Sequence, residues 1–168
     1  MRPAKGDYAE YYQQYIDLVE GNDIIGMLTD NNLYAQNILN SFPQSKGNYR
    51  YAEGKWTIKE VVGHIMDTER IFCYRALAIA RGEKKPLPGF DQDQYVINGK
   101  FNDRPLYDLT YEYRLVREST ILLFRSFDQS VWQNRGVASG NEVTVLALMF
   151  MTAGHERHHL NILKERYL

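Results

Sequence analysis

The sequence predicts an all-α fold, a four-helix bundle with a short extra helix at its N-terminal side. Three observations point there. Apolar residues recur at three- and four-residue steps through most of the chain, alternating strand-like runs are scarce, and helix-starting and helix-stopping residues punctuate the apolar stripes. With 168 residues, 44% of them hydrophobic and 24% charged, the chain has the size and composition for one domain, residues 1–168, folding around its own core.

The elements follow in order. Asp7 to Val19 is a short aromatic helix candidate, closed by Glu20-Gly21-Asn22-Asp23. Asp23 can cap the next helix, where Ile24, Met27, Leu28, Asn31, Tyr34, Ala35, Ile38 and Leu39 share a face and Pro43 marks the end. Residues 43–56 read as a polar linker that finishes at Trp56. Thr57-Ile58-Lys59-Glu60 is a capping box, in which hydroxyl and carboxylate close the free amides at a helix start. That helix is expected to reach about Arg81, with Gly82 as its stop.

Residues 82–104 contain Pro86-Leu87-Pro88-Gly89 and no helical period, so they read as a long crossover. Pro105 suits the first turn of a third long helix, which continues through Leu115, Ile121, Leu122 and Phe124 to about Phe127. Gly136, Gly140 and Asn141 mark the last linker, and the fourth long helix spans about Val143 to Tyr167. Four long helices bury their stripes best against one another, and the long second connection implies an order other than up-down-up-down.

Bulk properties exclude several classes. A net charge of −1 asks for neither nucleic acid nor an anionic membrane. One cysteine rules out an intramolecular disulfide and suits a reducing compartment. The stretch MRPAKGDYAEYYQQY lacks the apolar core of a signal peptide, and no run reaches the ~18 apolar residues of a membrane helix. The expectation is a cytoplasmic protein. Its 13 tyrosines read as core and interface material, which leaves room for a homodimer through a helix face.

The histidines carry the chemistry. There are four, His64 alone and His155, His158 and His159 together. On an α-helix, positions 155 and 159 lie about 40° apart on one face, one turn above the other. Leu148, Met151, Thr152 and Ile162 share that face, and His64 shares a stripe with Val61, Thr68 and Ile71, so three imidazoles are expected to point inward from two helices. Neutral imidazole suits zinc, nickel or ferrous iron, and three protein ligands leave positions open for water or substrate. A hydrogen-bonded network of buried histidines is the other reading of the same pattern.

Around them stand weaker candidates. His158, about 100° from His159, and Asp67, one turn from His64, could orient a ligand or wall the pocket; a surface position suits either equally. Arg75 lies on the His64 stripe and could meet a substrate carboxylate, with a structural ion pair as the favoured use. Asp91, Asp93 and Tyr95 could wall the site if their loop folds over it, or form an exposed turn. Cys73 reads as a small core residue, since no basic neighbour activates it.

The string His155-Glu156-Arg157-His158-His159 satisfies H-E-x-x-H, the zincin pattern of two zinc-binding histidines and a water-activating glutamate. At the longer spacing of the metzincins, however, Ile162 occupies the glycine position and Glu165 that of the third ligand. Glu156 falls about 100° from His155, so it is expected on the solvated face of its helix.

The block from Tyr51 through Trp56, Thr57, Glu60, His64, Asp67, Glu69 and Arg70 resembles the second-helix signature of the DinB/YfiT-like metalloenzyme family. Tyr74-Arg75, the run Leu87 to Asp93 and the terminal Gly154-His155…His158-His159-Leu160 are similar to its continuation and its last-helix H-x-x-H-H pattern. The resemblance spans essentially the whole chain. It implies an up-down-down-up four-helix bundle in which one divalent metal, zinc, nickel or iron, is held by His64, His155 and His159, with residues 82–104 as the crossover.

Some members of that family are transferases or isomerases that use bacillithiol or mycothiol. The resemblance therefore implies a small-molecule thiol and an electrophilic substrate as partners, the cation holding the thiol as a thiolate nucleophile. A hydrolase using metal-bound hydroxide and a non-catalytic metal-binding or interaction protein are the alternatives.

Overall fold

The computed structural model describes residues 1–168. Its helices start where the capping residues put them. After a single short turn, α1 (Gln13–Ile16) closes the leader. The Asp23 carboxylate accepts from the Gly26 amide at 3.0 Å and opens α2 (Ile24–Ser41). Both halves of the capping box form at the start of α3 (Ile58–Ala80): Thr57 N donates to Glu60 at 2.7 Å and Glu60 N to the Thr57 hydroxyl at 3.1 Å. Asn102 joins them, donating to Glu60 at 2.8 Å and accepting from Thr57 at 2.7 Å, so the cap also anchors the crossover.

The crossover is not bare loop. It holds α4 (Gln92–Gly99), capped by Asp91, whose carboxylate accepts from the Asp93 and Gln94 amides. The sequence hid this helix because only Val96 in it is buried, which leaves no apolar stripe to detect. After Pro105 come α5 (Leu106–Arg125) and, past a hairpin, α6 (Val145–Arg166).

The hairpin was also missed. Strands β1 (Arg135–Ala138) and β2 (Asn141–Thr144) pair antiparallel around Ser139-Gly140, both at positive φ (52° and 77°) as a two-residue turn of this twist requires. Leu87 of the crossover adds alongside, its amide donating to Val137 O at 2.8 Å.

Side-chain pairings fix the helix directions. Arg70–Glu112 and Cys73–Thr120 advance together along α3 and α5, so these two run parallel. His64, near the start of α3, meets His155 and His159 in the second half of α6, so α3 and α6 are antiparallel. Gln44, just beyond α2, caps the Tyr107 amide at the start of α5, so α2 and α5 are antiparallel as well. The result is the up-down-down-up bundle of α2, α3, α5 and α6, with α3 packed between α5 and α6. No helix is long and apolar enough to cross a membrane.

Two apolar clusters fill the bundle. One gathers Ile24, Leu28, Phe72, Phe124 and the start of α6; the other gathers Ala35, Leu39, Ile65, Leu109 and Leu160. Between them lies a buried polar layer that includes Asn31, His64, Thr68, Glu69, Arg117, His155 and Glu156.

Candidate metal centre

Two helices and a leader build the site. His64 comes from the second turn of α3, and His155 and His159 stand one turn apart on α6. His155 Nε2 lies 2.9 Å from His64 Nε2 and 3.1 Å from His159 Nε2, and one nitrogen from each ring falls within 4.8 Å of the others. Around a tetrahedral cation with metal–nitrogen bonds of about 2.0–2.1 Å, ligand nitrogens stand roughly 3.3 Å apart. The two spacings to His155 fall a few tenths of an ångström short of that value.

The donor set itself asks for a cation. A neutral imidazole nitrogen offers either one proton or one lone pair, so His155 Nε2 cannot satisfy two like neighbours with good geometry. No carboxylate belongs to the cluster. Burial pushes the His64 pKa down to about 4, with His158 adding a smaller effect. Burial and then the neighbouring imidazoles hold His155 and His159 well below the ordinary histidine value. The three rings are thus neutral lone-pair donors at neutral pH, the form in which imidazole binds a metal.

The surroundings close the site on one side. Tyr15 and Phe72 pack edge-on against His155, with ring centroids at 5.4 and 6.0 Å. Gly154 makes this approach feasible: a Cβ there would sit 2.0 Å from the Tyr15 carbonyl oxygen. On the other side Trp56 lies 4.7 Å from His64, ring to ring, and 6.5 Å from His159.

The outer candidates divide. His158 borders the cluster, its ring 5.0 Å from His159 and 5.4 Å from Tyr15. Asp67 does not reach the histidines; its carboxylate faces Arg70 at 3.6 Å on the helix surface. Arg75 has no acidic partner and donates instead to Pro88 O and Ser139 Oγ, both at 2.8 Å, tying the crossover and hairpin to α3. Asp93 reaches the recess beside His159, whereas Asp91 caps α4 and Tyr95 packs on Phe90 at 5.2 Å. Cys73 contacts Thr120 at 3.3 Å and burial pushes its thiol up to about 12, so it is no nucleophile.

Glu156 corrects the expectation of a solvated carboxylate. It is fully buried, accepts from the Tyr113 hydroxyl and lies 2.9 Å from Arg117, which also binds Glu69 at 2.7 Å. Burial beside Glu69 raises the Glu156 pKa well above the usual carboxylate range. The residue fails as a solvated group because α6 is enclosed on every side from Val145 to Glu156, so no face there meets water. Sequence reasoning gave Arg117, Tyr113 and Tyr15 no role and named Glu69 only within the family signature. The only signal for them was polar residues spaced along otherwise apolar stripes.

Comparison with known proteins agrees with this architecture. The DinB superfamily profile matches residues 31–163. A protein of Oceanobacillus iheyensis, provisionally named a metal-dependent hydrolase, is 27% identical over 128 residues, 75% of this chain and 73% of that protein. Among solved structures, YfiT from Bacillus subtilis, described as a candidate metal-dependent hydrolase with an unusual four-helix bundle topology, matches with a TM-score of 0.76 at 14% identity. That match covers 98% of this chain and 90% of YfiT. The mycothiol-dependent maleylpyruvate isomerase matches with a TM-score of 0.70 at 11% identity over 86% of this chain, which spans only 61% of that enzyme's length. At such identities the two structural likenesses speak to fold alone.

Proposed function

The chain belongs to the DinB superfamily, and from that premise we propose that it is a metal-dependent enzyme in which His64, His155 and His159 hold one divalent cation for thiol transfer to an electrophile. The observation that carries this reading is the convergence of three imidazole nitrogens in a buried cluster to which no carboxylate contributes. A divalent cation supplies Lewis acidity there and lowers the pKa of a thiol or water that reaches it.

The chain's own residues do the positioning. His155, clamped by Tyr15 and Phe72, fixes the centre of the cluster, and His64 is held against Trp56. Arg117 joins Glu69 of α3 to Glu156 of α6, fixing the two helices that present the histidines. Tyr15 and Phe72 keep water from the inner side of His155.

No carboxylate joins the three histidines to serve as acid or base, which favours a thiol over water. Hydrolysis needs a group to protonate the leaving atom, and Glu156, the one carboxylate next in sequence to a cluster histidine, is committed to Arg117 and Tyr113. A thiol ionises more readily than water, so a bound cation would need no separate base to favour its anion. A bacillithiol- or mycothiol-type cosubstrate fits this need.

Metal-dependent hydrolysis is the second reading, favoured by the name of the Oceanobacillus iheyensis relative. Metal-loaded protein incubated with a low-molecular-weight thiol and a nitroaromatic halide tests the first, and ester and amide substrates without thiol test the second. Thiol adduct formed by wild type and not by His155→Ala is the expected result. Metal-dependent ester cleavage that needs no thiol would move the conclusion to hydrolysis.

A further inference from the structure

Access to the histidine cluster is one-sided. His64 and His155 are 3% and 5% exposed, while His159 is more open and lines a recess of about 280 Å³. The opposite side is shut by Tyr15 and Phe72, and the close backbone approach at Gly154 leaves no gap there. A molecule that reaches the cluster therefore enters through the recess.

Its walls are largely aromatic and aliphatic. Trp56, Tyr51 and Tyr167 supply aromatic rings, and Val61 and Ile162 supply the aliphatic floor. Tyr167 donates to the Trp56 carbonyl oxygen at 2.6 Å and meets the Tyr51 ring edge-on at 5.1 Å, so α6 holds both aromatic walls in place. Lys55 and Asp93 stand at the mouth, and neither makes a salt bridge.

Resting on the metal reading above, we infer that the recess binds a small planar molecule with one acidic group, an aromatic monocarboxylate or similar conjugated acid. Its ring lies against Trp56 and its anionic end points to the cluster. Three neutral imidazoles leave a divalent cation's charge uncompensated, which favours an anionic end over a neutral one. Lys55 adds to that preference, and Asp93 across the mouth works against polyanions. Aromatic walls favour a flat ring over a puckered one, and the volume limits size to the lower end of small-ligand pockets.

The test is calorimetric titration of zinc-reconstituted protein, its metal content counted first, with benzoate, cyclohexanecarboxylate and benzamide. Benzoate is expected to bind about tenfold more tightly than either of the others, the ratio a single well-placed aromatic contact or charge produces. Trp56→Leu is expected to erase the preference for the flat ring, and Ile162→Trp, which fills the recess, to abolish binding, with affinity compared per metal-loaded chain after each variant's metal content is counted. Equal affinity for benzoate and cyclohexanecarboxylate, no binding by metal-loaded protein, or undiminished binding by Ile162→Trp would overturn the inference alone. Failure of the protein to take up zinc would overturn the metal reading and this inference with it.

Discussion

Glu156 follows His155 directly in the sequence, yet its carboxylate lies 2.9 Å from Arg117 of α5 while the His155 ring turns to His64 of α3. The two neighbours serve different sides of α6. One belongs to the histidine cluster and the other to an ion network that joins three helices.

This separation makes Glu156→Gln a test between metal-site families. The amide keeps a polar contact to Arg117 and Tyr113 and removes only a charge. Metal content and any metal-dependent rate are expected to stay at wild-type level. A zincin, which uses this glutamate on its water, would lose catalysis by orders of magnitude.

Arg117→Met removes the one cation between Glu69 and Glu156 and leaves two buried carboxylates facing each other. Breaking a buried ion pair from one side costs about 3–5 kcal/mol, and denaturant unfolding reads the loss directly. The double variant Arg117→Met/Glu156→Gln is expected to recover part of it. An Arg117→Met protein as stable as wild type would contradict the network's role.

The histidines set the acid limb of the metal-free protein's stability. His64 falls from 6.5 to about 4 on folding, and His155 and His159 fall further below 6.5. The unfolded chain therefore binds more protons than the folded one below about pH 6.5. The stability associated with keeping these rings neutral is complete above that pH and is lost as pH drops through the folded value near 4. Melting temperatures across that range, compared with those of His155→Phe, check it: the variant's profile is expected to be flatter.

Gly154→Ala places a methyl group 2.0 Å from the Tyr15 backbone oxygen, a contact that no rotamer change relieves. The leader must then lift from α6. Overpacking of this kind costs about 1–3 kcal/mol, and protease cleavage near residues 10–17 is expected to rise while the rest of the bundle persists. Unaltered cleavage would mean that Tyr15 does not close the site as described.

Much of this was legible in the sequence for a physical reason. Repeats of three and four residues encode which side chains share a helix face, so the i,i+4 pair His155 and His159 and the capping box at Thr57 could be read directly. What helical periodicity does not encode is how many sides of a helix are covered. The first turns of α6 are buried all round, which is why Glu156 is inside despite lying off the histidine face. The hairpin escaped because four-residue strands are too short to show alternation. Asp67 and Arg75 lie on α3 as expected, and helical spacing accounts for the Asp67 partner Arg70, but the Arg75 partners Pro88 and Ser139 come from chain geometry that spacing does not determine. The recess likewise assembles residues from positions 51 to 167 that only the bundle brings together.

The central claim is that His64, His155 and His159 hold a metal, and elemental analysis of protein purified without a histidine tag tests it most directly. Wild type is expected to carry about one transition metal ion per chain, and His64→Ala, His155→Ala and His159→Ala to carry none while keeping most of their helix content. Wild-type protein that binds no metal even after reconstitution with zinc, nickel or ferrous iron, or alanine variants that retain it, would contradict the assignment.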